Sequence, residues 1–223
     1  MSDRLSPAPE RTLRLIPSRF PPIGLFDTVA TAADLAAVME LAGWTNDRLV
    51  AGRIERLPRG EWVYGRPNAS IVMAAFLHVA PTGMRFNSAE LGAWYAAADL
   101  DTSVAEVGHH LRREAVSRSL PVLERTYRAY AARLAGDYVD IRRQTAFRKA
   151  LYSPDSYDAS QTYGEAVRAS GGDGIIYGSV RLRGGLNVVA YRPSKVLDVV
   201  QAEHVRVRVG AADRTIEARR LGA

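Results

Sequence analysis

Two rhythms of apolar residues run along this chain, and they divide it into an early helical part and a late extended one. In the first third the spacing is helical. Leu35, Val38 and Met39 form a stripe that predicts a helix over Thr31–Leu41, with Thr31 as cap and Gly43 as stop. Ile71, Val72, Ala75, Phe76 and Val79 predict a second over Asn68–Val79. Trp94–Ala97 reads as a short buried strand. It leads into a helix capped by Asp101 or Thr102, with Val104, Val107, Gly108 and Leu111 on one side. Thr102, Glu106, His109, His110 and Arg113 fall on the other.

The second half reads differently. Tyr127–Leu134 and Asp137–Arg142 are predicted as strands around a Gly136-Asp137 turn. Thr162–Ala169 is a helix with a Thr162/Glu165 capping box. Beyond the Gly171–Gly174 turn, strands are predicted at Ile175–Tyr177, Asn187–Tyr191, Val196–Val200 and Val205–Val209. Leu13–Ile16 is a further short strand, and residues 1–12 read as a disordered tail. Helices early and strands late favour an α+β fold over a βαβ sheet.

At 223 residues and 47% apolar content, one domain with a sizeable core is expected. There are no cysteines, which excludes disulfides and thiolate zinc sites. Neither a membrane-length apolar run nor a signal-peptide pattern is present, so a cytoplasmic protein is the expectation. The net charge of +6 opens three classes of partner: an anionic ligand, an acidic protein or nucleic acid. The only lysines are Lys149 and Lys195, and the arginines are spread along the chain rather than clustered with aromatics.

Candidate chemistry concentrates in Gly83–Leu111, where Arg85, Tyr95 and Glu106 fall within 22 residues. Arginine offers a planar fork for phosphate oxygens, tyrosine a flat face for a heterocycle, and glutamate a carboxylate that steadies a cation. These suit a dinucleotide such as NAD. Adjacent His109 and His110 point about 100° apart on a helix and do not chelate together, so no metal site is expected. Ser179 lacks a Gly-x-Ser-x-Gly setting, and neither a Gly-x-Gly-x-x-Gly fingerprint nor a Walker A motif is found.

Taken together, Arg85 in GMRFN, Tyr95 in AWYAA, Glu106 in TSVAEV and Ser179 in YGSVR resemble the RES domain family. The family's opening arginine matches Arg14 in LRLIP or Arg19 in SRF. The resemblance runs from Leu13 to Pro193 within a single domain over 13–223, most specifically in Gly83–Leu111 and Tyr163–Arg192. The helical region at about 27–80 is longer than in minimal members.

The resemblance implies an ADP-ribosyltransferase-like split β core with flanking helices and a cleft for NAD. It implies a toxin that cleaves the nicotinamide–ribose bond by phosphorolysis or hydrolysis. NAD is then the substrate and inorganic phosphate a co-substrate, with no cofactor and no metal. Glu106 would stabilise the ribosyl cation. Arg85, with Arg14 or Arg19, would hold the diphosphate, Tyr95 would carry a ring, and Ser179 would bond the carboxamide or a ribose hydroxyl. The implied partner is an Xre-type antitoxin, through which alone the toxin meets nucleic acid, with no membrane contact and a homo-oligomer left open. Protein mono-ADP-ribosylation on the same fold, or a basic partner-binding module without activity, are the alternatives.

Overall fold

The computed structural model describes residues 4–20, 24, 26–31, 33–34, 52–144, 147–154, 156–213 and 215–221. Two short strands open the chain, β1 (Leu5–Pro7) and β2 (Thr12–Pro17). After a 3-10 turn at Arg59–Glu61 come helix α1 (Ala69–Leu77), strand β3 (Trp94–Ala97) and the long helix α2 (Leu100–Ser117). Strands β4 (Val122–Leu134) and β5 (Asp137–Asp140) precede helices α3 (Arg148–Leu151) and α4 (Asp158–Ala169). Strands β6 (Gly174–Gly178), β7 (Leu186–Ala190), β8 (Val196–Gly210) and β9 (Ile216–Leu221) complete the chain. The expected α+β class holds, and the predicted helix at Thr31–Leu41 lies largely outside the described residues. Among the described residues, no helix is long and apolar enough to cross a membrane.

Among the described residues, nine strands join one sheet, in the order β1-β5-β6-β7-β3-β2-β4-β8-β9, and only β5 and β6 run parallel. The joint that matters for the site is its weakest. β2 pairs with β4 over all six of its residues and β3 with β7 over all four, yet β2 meets β3 through the single pair Leu13–Ala97. The sheet therefore parts at a seam between two well-paired halves, which is the split expected of the core.

Strand alternation decides what covers each face. Trp94, Tyr130, Ile176 and Val188 point to one face and pack with α1 residues Val72 and Phe76 in a core that spans both halves. On the other face the halves have separate cores. Ile175, Tyr177, Val189 and Tyr191 pack with Phe86 and Val167, the latter from α4, while Leu15, Tyr127, Val205 and Val207 pack with Val104 and Leu111 of α2. The gap between these two cores lies over the seam.

Several local expectations give way to long-range pairing. The disordered tail expected over residues 1–12 needs correction: Leu5–Pro7 is an edge strand on β5, where Pro7 at its end removes no inner ladder bond. β4 and β5 do not form a hairpin about Gly136. Asp173 takes the Asp137 backbone N–H at 3.0 Å, and β5 pairs with β1 and β6 instead. The two strands predicted between Val196 and Val209 are one continuous β8, which runs through two irregularities in its pairing with β4. Helix α2 is capped by Asp99, whose carboxylate accepts from the Thr102 N–H at 2.7 Å, rather than by Asp101 or Thr102. Helix α4 begins at Asp158, so Thr162 lies inside it and bonds the Asp158 carbonyl, while Glu165 accepts from the Ser88 N–H at 2.7 Å.

Buried Gly164 shows how closely α4 sits on the loop that precedes β3. A Cβ there would overlap the Phe86 carbonyl oxygen, to which the Tyr191 hydroxyl donates at 2.8 Å. Gly164→Ala should therefore lower stability by about 1–3 kcal/mol, the usual cost of forcing extra volume into a packed contact. Thermal unfolding checks this, and an unchanged Tm would mean that the contact relaxes freely.

Candidate active site

The seam and the gap above it form a half-open cavity of about 190 Å³, lined by Arg14, Arg85, Tyr95, Glu106, Tyr157, Tyr177, Arg181 and Asn187 among others. That is below the ~300 Å³ at the lower end of enclosed small-molecule pockets, and the cavity is open to solvent on one side.

Arg85 reaches the cavity from a loop built to hold one shape. Gly83 has φ +71° where a Cβ would overlap the Asn87 carbonyl, and Met84 bridges to Asn87. Helix α4 grips the loop: Gln161 donates to the Thr82 and Met84 carbonyls, and Arg168 to those of Leu91 and Gly92. The Tyr95 hydroxyl closes the arrangement, accepting from the Phe86 N–H at 2.9 Å and donating to Asn87 Oδ1 at 2.8 Å. Burial keeps that hydroxyl well above the usual tyrosine range, so it stays protonated.

Arg85 is 7% exposed, and its guanidinium lies 4.7 Å from the Tyr157 ring. Its Nη1 donates to the carbonyls of Leu151 at 3.2 Å and Ser153 at 2.9 Å. Its Nη2 is buried without a hydrogen-bond partner among the described residues. Arg14 spans the seam from β2. Its Nη1 donates to the Tyr95 carbonyl at 3.0 Å, and its guanidinium sits 5.1 Å from the Trp94 ring. Burial lowers its pKa to about 10, still cationic at neutral pH, and its Nε has no partner among the described residues. Of the two candidate arginines, Arg14 lines the cavity, whereas Arg19 is exposed, packs on Phe20, and is not part of the cavity wall. None of Arg14, Arg85 and Arg181 has an ion-pair partner among the described residues.

Helix α2 supplies the carboxylate. Ser103, Glu106, Val107 and His110, at i, i+3, i+4 and i+7, turn one stripe to the cavity, while Val104 and Leu111 enter the core beside it. Glu106 Oε1 accepts from Ser179 Oγ at 2.7 Å and from Asn187 Nδ2 at 2.7 Å. Ser179 thus meets the glutamate directly, whereas the sequence reading gave it a substrate contact. Asn187, Tyr157 and Tyr177 have no site role in the sequence analysis, and His110 enters it only as a rejected metal ligand on the Glu106 side of its helix. Asn187 had a signal, a lone amide in the apolar strand LNVVA. Tyr157 had none, lying between elements with no periodicity.

His109 and His110 stack edge to face with centroids 5.5 Å apart, and among the described residues no cluster of three or more histidines and carboxylates could hold a metal ion. Burial, then the charge of Arg181, lowers the His109 pKa from 6.5 to about 4. Between those values the unfolded chain binds more protons than the folded one, so stability should fall as pH falls from about 6.5 toward 4. His109→Gln should flatten that slope in Tm against pH; an unaltered slope would show that other groups set it.

The site sits within the stretch that identifies the chain. Residues 53–210 match the RES domain, and the chain belongs to that family. Arg85, Tyr95, Glu106, Ser179 and Asn187 lie inside the matched stretch, and Arg14 precedes it. Among solved structures, the chain is similar to one in the crystal structure of the M. tuberculosis MbcT–MbcA toxin–antitoxin complex. The two are 17% identical, with a TM-score of 0.42 over 55% of this chain and 73% of the other. No curated protein matches the chain.

Proposed function

We propose that this RES domain protein cleaves the nicotinamide–ribose bond of NAD, with water or inorganic phosphate as acceptor, and acts as the toxin of a toxin–antitoxin pair. One arrangement carries the reading. A carboxylate whose Oε2 receives no hydrogen bond among the described residues shares a small aromatic-walled cavity with the buried Arg85 and the half-buried Arg14, each holding a buried nitrogen that has no partner among the described residues. Arg128 and Arg168 also hold a buried nitrogen without a partner among the described residues, so the reading rests on Arg14 and Arg85 sharing one cavity, where unpaired cationic donors suit an anionic ligand. A diphosphate matches their charge and fork geometry.

The chemistry follows from the substrate's own charge. As the glycosidic bond breaks, its electron pair moves to the pyridinium nitrogen and neutralises it, so no strong general acid is needed. The ribosyl centre becomes oxocarbenium-like, as in glycoside hydrolysis. Glu106 stabilises that cation and orients the acceptor. Hydrolysis yields ADP-ribose, nicotinamide and a proton; phosphorolysis yields the 1″-phosphorylated ADP-ribose and nicotinamide. Tyr95, Tyr157 and Tyr177 give the nicotinamide ring apolar faces, and Arg14 and Arg85 hold the diphosphate.

The test is to incubate purified protein with NAD, with and without phosphate, and follow free nicotinamide. Release is expected, and a chelator should leave it unchanged. No release under either condition would return the basic binding module to first place. A cytoplasmic NAD-degrading enzyme would harm its own cell, so expression alone should arrest growth and lower cellular NAD. Co-expression with a neighbouring Xre-type antitoxin should reverse both.

A further inference from the structure

We propose that Asn187 is a positioning residue: with Ser179 it pins one oxygen of Glu106 so that the other is left for the cavity. The proposal rests on the reading of Glu106 as the reactive carboxylate. Asn187 is 3% exposed in the middle of the sheet, between Ala97 of β3 and Tyr177 of β6. A buried amide there costs stability unless its hydrogens are used. One goes to Glu106 Oε1 at 2.7 Å.

Ser179 is constrained in a complementary way. Its Oγ accepts the backbone N–H groups of Arg181 and Leu182, each at 3.0 Å, which occupies both acceptor positions of the hydroxyl. Its single hydrogen is therefore committed to Glu106 Oε1, at 2.7 Å. Two donors from different segments, β7 and the turn after β6, converge on one oxygen. Among the described residues, Oε2 receives no hydrogen bond. A glutamate side chain on a helix turns about three bonds and loses aim unless held. Charge stabilisation depends on that aim, since a displacement of about 1 Å can cost 100-fold in rate.

Asn187 joins the sheet through its backbone, so its side chain can be changed without breaking the ladder. The experiment compares Asn187→Leu, which keeps the size and removes the donor, and Asn187→Asp, which places a like charge beside Glu106. Both are made in the parent and in a Glu106→Gln background, with kcat and KM for nicotinamide release measured for each. In the parent, kcat should fall roughly 10- to 100-fold with KM little changed, and the aspartate should be the worse. In the Glu106→Gln background most of that loss should vanish, because the residue acts through the carboxylate. A raised KM at constant kcat, or losses that multiply fully in the double variant, would overturn the proposal.

A second measurement does not depend on turnover. Thermal unfolding of Asn187→Leu, Glu106→Ala and the double variant should show non-additive changes in Tm. Additive changes would also overturn the proposal. If the parent released no nicotinamide, the NAD reading would fail and this cycle alone would decide whether Asn187 holds Glu106.

Discussion

Glu106→Gln is expected to lower nicotinamide release by about 100-fold or more while leaving the fold intact, the loss usual for one preorganised electrostatic contact. The geometry sharpens the reason. Ser179 and Asn187 both donate to Oε1, so the glutamine carbonyl oxygen takes that position and keeps both hydrogen bonds. The amide nitrogen then stands where Oε2 stood. A group that carried negative charge toward the developing ribosyl cation is replaced by a donor with a partial positive charge. Stabilisation is lost and mild repulsion added, yet the helix, its Asp99 cap and the core contacts of Val104 and Leu111 are unchanged. The measurement is kcat/KM for nicotinamide release, with Tm confirming equal folding. Equal turnover by variant and parent would remove Glu106 from the chemistry.

What the sequence made legible is what local physics determines. Helix α1 and strand β3 are readable because their apolar spacing is uninterrupted, and the expected bounds Trp94–Ala97 are those of β3 in the structure. The start of α2 was misread by two to three residues because Asp99, Asp101 and Thr102 are all competent caps, and only the fold shows which carboxylate meets the Thr102 N–H. Pairing over long range left no local trace. β1 depends on β5, about 130 residues away; β9 pairs locally with β8, but the outward residues of both strands are charged and hide the apolar alternation. Gly136 marks a real turn, but the turn leads to a crossover because Asp173 captures the next strand.

The site divides the same way. Arg85, Tyr95, Glu106 and Ser179 are legible as a family pattern; the first three line one cavity, and Ser179 joins them through its hydrogen bond to Glu106. Their mutual roles were not legible. Whether Ser179 faces a ligand or Glu106 depends on the turn at Arg181 and Leu182, and that Arg14 lines the cavity while Arg19 does not follows from β2 ending at Pro17. Alternation along β7 explains why Asn187 escaped notice. It reads as a flaw in an apolar strand until α2 is laid over the seam and supplies its partner.

Arg85→Ala should weaken NAD binding roughly 10- to 100-fold, the range for removing a hydrogen-bond donor to a charged group. Arg85→Lys should fall between alanine and parent. The difference lies in how the guanidinium is divided. Nη1 is spent on the Leu151 and Ser153 carbonyls, which tie down the segment leading to Tyr157, and Nη2 is buried without a partner among the described residues, the nitrogen that the proposed diphosphate would take. A lysine ammonium is a single point and cannot hold two carbonyls on one side and a phosphate oxygen on the other. It retains charge and so part of the affinity. Alanine loses both functions, and its Tm should also drop because the carbonyls of Leu151 and Ser153 lose a buried donor. Calorimetry on the Glu106→Gln background measures binding without turnover, and Tm recorded beside it separates loss of the ligand contact from loosening of the 151–157 segment. If alanine lowered Tm but bound NAD as the parent does, Arg85 would be a strut for that segment, and the diphosphate would have to be assigned to Arg14 and Arg181.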